Sequence, residues 1–185
     1  MEFTRRKFTK ALGFGTGALF LNSLGVSQAA NSKAVNVDAV ENAVKDMFFK
    51  ISLAEWSLNR EIFGGKLDHL DFAKVTRESF GLNGIEYVNQ FFKDKAEDMG
   101  YLKQMKTRAE DHGVESLLIM IDREGGLGDT DNKARTLAVE NHYKWVDAAK
   151  FLGCHSIRVN AFGVGSAEDV KASAVDGLGR LSTYA

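Results

Sequence analysis

The chain has 185 residues, 44% hydrophobic and 26% charged, with a formal net charge of −1; this is ordinary globular composition, and one folded domain is the expectation at this length. Its positive charge concentrates at the start, where Arg5, Arg6, Lys7 and Lys10 stand against Glu2, which leaves the rest mildly acidic. An acidic body lacks the basic footprint of a nucleic-acid binder, so nucleic acid is not an expected partner.

In chain order, the first thirty residues read as an address. Arg5 and Arg6 precede Phe8, an apolar glycine-containing run follows from Ala11 to Val26, and Ser27-Gln28-Ala29-Ala30 supplies small residues for cleavage. This is the order of a signal peptide. The paired arginines make it resemble a twin-arginine signal, which implies the twin-arginine translocation machinery as a partner and an exported, periplasmic location. The apolar run is shorter than the ~20 residues that cross a bilayer and is diluted by Gly13, Gly15, Gly17 and Asn22, so no stable membrane span is expected. Cys154 is the single cysteine, so no intrachain disulfide can form, consistent with folding before export. Residues 1–30 are assigned to the signal and 31–185 to the folded body.

From there short β-prone runs alternate with amphipathic helical stretches. The first strand is expected over Phe48 to Trp56, followed by a helix over His69 to Ser79 with Asp68 as its N-cap. The second strand is Gly84 to Asn89, and a second helix covers Tyr101 to Asp111. Val114 to Asp122 reads as the third strand. Asp131 or Asn132 opens a third helix with apolar residues at helical spacing through Leu152. The fourth strand is His155 to Phe162, and Ser166 with Asp169 forms the capping-box pattern of a last helix over Ala167 to Leu181. Gly81, Gly113 and Gly153 each close a helix just before a strand. The repeat is roughly 30 to 40 residues and no hairpin signal separates the strands, so they are expected to be parallel and joined by right-handed crossovers.

Each strand ends in polar residues: Glu55, Asn89, Asp122, and Arg158 with Asn160. Polar tips on every strand suit a closed barrel, whose strands open on one shared mouth. An open sheet places its site at one switch point, and no G-x-G-x-x-G follows the first strand.

The segments Ile51-Ser52-Leu53-Ala54-Glu55-Trp56, Gly84-Ile85-Glu86-Tyr87 and Gly153 to Asn160 together resemble the sugar phosphate isomerase/epimerase family of the xylose isomerase-like TIM-barrel superfamily. The resemblance runs from about Lys50 to Ala185 and implies an α/β fold of parallel (β/α) units, the first four of a TIM (β/α)8 barrel. Complete barrels have eight strands in about 250 residues, so the chain is expected to be a half-barrel fragment, with inward side chains facing no opposite wall. The resemblance further implies a sugar or sugar phosphate ligand, and proton transfer next to a carbonyl in the complete protein. A divalent metal cation is implied there as well, held by ligands on strands five to eight that this chain lacks, so no metal ligand is assigned.

Candidate substrate-binding residues follow from the strand tips. Glu86 is a carboxylate within an otherwise apolar strand, costly to bury unless paired or used; its alternatives are sugar hydroxyls or an ion pair with Arg158. Arg158 and Asn160 share a face by the period-two rule, and the arginine fork suits a carboxylate, a phosphate or sugar oxygens, or a bridge to Glu86 or Asp122. Glu55 and Trp56 end the first strand, where the indole either stacks on a sugar or packs in the core. Asp122 ends the third strand, before Glu124-Gly125-Gly126-Leu127-Gly128, a loop whose glycines read as flexible. Gly163-Val164-Gly165 reads as a turn more than a phosphate cradle, the histidines show no metal spacing, and Cys154 is expected to be buried and inert. A sugar isomerase or epimerase leads, with a non-catalytic sugar-binding barrel next and a metal-dependent phosphodiesterase of the same fold last.

Overall fold

The structure, a computed structural model, describes residues 48–185; the predicted signal and the boundary at residue 31 lie outside the described residues. Four strands form one parallel sheet in the order β1-β2-β3-β4: β1 (Leu53–Ala54), β2 (Gly84–Val88), β3 (Glu115–Met120) and β4 (Ser156–Arg158). Sequential order with every neighbour parallel is what (β/α) repeats produce, because each crossover returns the chain to the same end of the sheet.

The crossovers are helical. Between β1 and β2 lie a short α1 (Asn59–Phe63), absent from the sequence expectation, and α2 (Phe72–Phe80). The 3₁₀ turn His69–Asp71 leads into α2, and Asp68 accepts the Leu70 N–H at 2.8 Å. Then come α3 (Met99–Asp111), α4 (Asn132–Leu152) and α5 (Ala167–Tyr184). Asp98, Asp131 and Ser166 cap these helices by accepting the N–H groups of Tyr101, Ala134 and Asp169. Ser166 also donates to the Asp169 carboxylate at 2.6 Å. Gly81, Gly113 and Gly153 take φ of 64°, 63° and 83° where helices stop, the left-handed conformation a glycine adopts without a Cβ clash.

One face of the sheet is packed against the helices. Ile85, Tyr87 and Ile119 are buried there with Phe72, Leu102, Met105 and Trp145. Burying side chains of that size contributes about 1.5–3 kcal/mol each. Alternation sends Glu86, Leu118, Met120 and Arg158 to the opposite face, where Leu118 and Met120 are only half-buried and Arg158 is exposed. A barrel's interior face in an isolated half would look like this.

Two strands are shorter than the sequence pattern suggests, and side chains explain why. β1 stops at Ala54 because the chain turns into a 3₁₀ segment, Glu55–Leu58, and the Glu55 carboxylate takes the Val88 N–H at 2.8 Å in place of a ladder bond. β4 stops at Arg158 because the carbonyls of Asn160 and Phe162 accept from Leu127 and Gly128 at 3.2 and 3.1 Å. The Glu124–Gly128 segment is therefore packed rather than loose, with Leu127 fully buried. Its glycines serve close approach: a Cβ at Gly163 would fall 1.9 Å from the Gly128 carbonyl oxygen. Flexible-looking composition here marks two backbones in contact.

Candidate functional site

At the carboxyl ends of β1, β2 and β3 opens a cleft of about 450 Å³. One wall is aromatic. Trp56, on the 3₁₀ turn after β1, and Phe63, at the end of α1, stand 46% and 61% exposed. Phe91, on the 3₁₀ turn after β2, joins them, with ring centroids 6.0 Å from Trp56 and 4.9 Å from Phe63. Each ring sits on a tight turn directly after a strand or on the helix that follows one. The strands thus fix the platform, although the rings themselves are solvated.

The rest of the lining is polar. Asp122, just past β3, accepts from Arg158 at 3.2 Å and Asn160 at 2.9 Å on one oxygen, and from Gln90 at 3.1 Å on the other. Burial alone would raise this carboxyl, but the hydrogen bonds from Asn160 and Gln90 and the Arg158 charge outweigh it and hold the group below the usual carboxylate range. Asn89 is buried and acts as a prosthetic rung between strands: its amide donates to the Asp122 carbonyl and accepts the Asp122 N–H, both at 3.0 Å. Arg158 also donates to Asn160 at 3.0 Å, as their shared face requires.

Next to Asp122 is Arg123, which lines the cleft with φ 63°. A long side chain in the left-handed region costs about 1–2 kcal/mol. Glu124 follows, and its carboxylate accepts the Trp145 indole N–H at 2.9 Å and meets Lys144 at 3.4 Å.

The predicted residues thus divide. Trp56 and Asp122 line the cleft, with Arg158 and Asn160 bonded to Asp122 at its rim. Glu86 lies below it on the sheet face away from the helices, accepting the Ser52 hydroxyl at 2.5 Å, and Arg158 pairs with Asp122 instead. Glu55 turns away from the mouth and is 0% exposed. Its second oxygen lies 3.2 Å from His69 Nε2, and His69 Nδ1 lies 2.7 Å from the Tyr101 hydroxyl. Neither Glu55 Oε1 nor His69 Nε2 has another partner, so one proton between them satisfies both. Burial pushes the Glu55 carboxyl well above its usual range, against the Val88 N–H, and burial drives His69 down to about 4, against the Asp68 charge. A protonated Glu55 donating to a neutral imidazole, whose Nδ1–H donates to Tyr101, fits both directions.

Sequence reasoning missed Phe63, Phe91, Gln90, Lys93 and Arg123, all in turns or in the unexpected α1; the run Asn89-Gln90-Phe91-Phe92-Lys93 beside a strand tip was the available signal. Cys154 is half-buried and its thiol is pushed up to about 12 by burial, in keeping with an inert role. Among the described residues no cluster of three His, Cys, Asp or Glu is arranged to hold a metal ion. Asp122 accepts from Arg158, Asn160 and Gln90, Glu55 is sealed beside His69 with its carboxyl pushed up by burial, and Glu86 accepts from Ser52, so these carboxylates do not converge on a divalent cation site. No described helix is long and apolar enough to cross a membrane.

Fold and site define a parallel α/β protein with the architecture of a partial (β/α) barrel, its cleft at the carboxyl ends of the strands. The solved apo structure of the 3-keto-D-glucoside 4-epimerase YcjR from E. coli is similar, with a TM-score of 0.52 at 15% identity, over 63% of this chain and 46% of that one. The likeness is one of fold, and the match spans less than half the length of that epimerase. No protein-family model and no curated protein sequence matches the chain.

Proposed function

We propose that the chain is the sugar-binding part of an isomerase or epimerase that moves a proton next to a carbonyl in the complete protein. One observation carries this reading: solvated aromatic rings, Trp56 and Phe63, and polar side chains, Asn89, Gln90 and Asp122, line one cleft together. A sugar offers the same two surfaces, a C–H face that rests on aromatic rings and a rim of hydroxyls that hydrogen-bond. The fold shared with a sugar epimerase supports the same direction. In this reading Arg158 and Asn160 contact hydroxyls at the rim and Glu86 contacts them below it, and Glu55 holds β1 to β2 so that Trp56 keeps its place.

A specific observation favours a second reading, a sugar-binding protein without catalysis. Asp122 and Glu55 are both committed to internal partners, and neither is placed to abstract a proton. Any acid and base, and any divalent metal, come from residues outside those described. Export by the twin-arginine route belongs to the same proposal and is checked by sequencing the N-terminus of periplasmic protein, which should begin near Asn31.

The direct test titrates the chain with neutral aldoses and ketoses by calorimetry. Saturable binding, weakened at least about tenfold in Trp56→Ala, is expected. Sugar affinity indifferent to that substitution would remove the platform and with it the reading. Deuterium exchange from solvent into the C–H beside a keto sugar's carbonyl, measured on the same sample, separates catalysis from binding alone.

A further inference from the structure

We propose that Lys93 and Arg123 form an anion subsite in the cleft, so that the ligand is a sugar bearing a carboxylate or a phosphate monoester. The proposal rests on the sugar reading above and adds the charge of the substrate to it. Its basis is the pairing of the charged groups. Four charged side chains line the cleft: Lys93, Asp122, Arg123 and Glu124. Both acids are neutralised by cations that do not line it, Asp122 by Arg158 at 3.2 Å and Glu124 by Lys144 at 3.4 Å. Lys93 and Arg123 have no ion pair or hydrogen-bond partner among the described residues, and both are exposed. The cleft therefore presents two uncompensated positive charges beside its aromatic platform.

The backbone at Arg123 points the same way. It is the one described non-glycine residue with positive φ, a conformation that glycine adopts without strain, and it is held between Asp122, tied to Asn89, and Glu124, tied to Trp145. Strained residues of this kind gather where a ligand is held. An arginine fork and a lysine ammonium together match the planar oxygens of a carboxylate or the three oxygens of a phosphate. Asp122, by contrast, has its charge offset by the Arg158 guanidinium at 3.2 Å and accepts from Asn160 and Gln90 besides.

The test compares the full chain's affinity for D-glucose, D-glucose 6-phosphate, D-glucuronate and inorganic phosphate by calorimetry at low salt. One of the charged sugars is expected to bind at least about tenfold tighter than D-glucose, an advantage that shrinks at high ionic strength as screening of exposed charges requires. Which of the two charged sugars gains identifies the anion. Lys93→Gln and Arg123→Gly should each cut the charged-to-neutral ratio at least about threefold, and Arg123→Gly should do so without lowering the melting temperature, since glycine suits that φ. A ratio near one in the unaltered chain, or a ratio unmoved by both variants, overturns the subsite while leaving sugar binding intact. Inorganic phosphate bound through Lys93 and Arg123, with no glucose derivative binding more tightly, keeps the subsite and refutes the sugar reading. Absence of binding by all four probes overturns both.

Discussion

Two carboxylates do the same mechanical task at opposite corners of the mouth and end in opposite charge states. Glu55, at the β1–β2 corner, ties strands together through the Val88 N–H in a site closed to water. Asp122, at the β3–β4 corner, is tied to Asn160, Gln90 and Arg158 in a site that stays partly solvated. Burial with a single backbone donor pushes the first carboxyl up; several donors and a guanidinium pull the second down. The lesson is that a strand-tip carboxylate is not a site by position alone. Its surroundings decide whether it is a neutral strut or a charged rim.

The comparison breaks most completely if the wet corner loses its backbone contact. Gly163→Ala would drive a Cβ against the Gly128 carbonyl oxygen, with no side chain able to yield, and should destabilise the chain by about 3 kcal/mol or more in urea unfolding. At the dry corner, Glu55→Ala strips the Val88 N–H and His69 of their buried partner. A loss of about 3 kcal/mol is expected there, and a loss under about 1 would mean that water enters the corner.

A pH series sharpens the contrast. Glu55 is raised above its ordinary value of 4.5, so its stabilising effect is full below that pH and fades as pH climbs toward the raised folded value. His69 is lowered from 6.5 to about 4, so its neutral form favours folding above 6.5 and that advantage is lost as pH falls toward 4. The two slopes oppose between those ordinary values, and this pair should therefore support stability best at about pH 4.5–6.5. Above that range its contribution should fall by up to about 1.4 kcal/mol per pH unit. Glu55→Gln, which mimics the protonated acid, should flatten this alkaline limb and keep the acidic one in melting curves; an unchanged alkaline limb would mean that Glu55 is ionised. The smallest effect belongs to Asp122→Asn. Its partner Arg158 is 45% exposed, so less than about 1 kcal/mol should be lost, and a larger drop in denaturant unfolding would place that corner with the dry one.

Much of the fold was legible because it is written in local and periodic signals. Asp68 and Ser166 announced their helices through N–H groups within three residues, and the glycines at 81, 113 and 153 marked the stops. The alternation that placed Ile85 and Tyr87 opposite Glu86 holds in β2. The site was legible only in part. Arg158 and Asn160 were correctly paired by period, yet nothing local tells Glu55 from Asp122, since both are acids at strand tips. The short α1 and the turn Asn89–Phe91 escaped because 3₁₀ turns and one-and-a-half-turn helices have too few residues to show a period.

By itself the sequence determined the parallel (β/α) order, the glycine stops of three helices and which side of β2 is apolar. These depend on residues near one another in the chain and on a repeat that no long-range contact has to supply. Only the tertiary structure decided that Glu55 is sealed beside His69, that a glycine-rich loop is a tight seam, and that Lys93 and Arg123 stand unpaired in one cleft. Charge state and pairing are set by distances across more than thirty residues of chain, where burial and Coulomb attraction act through space and leave no local trace.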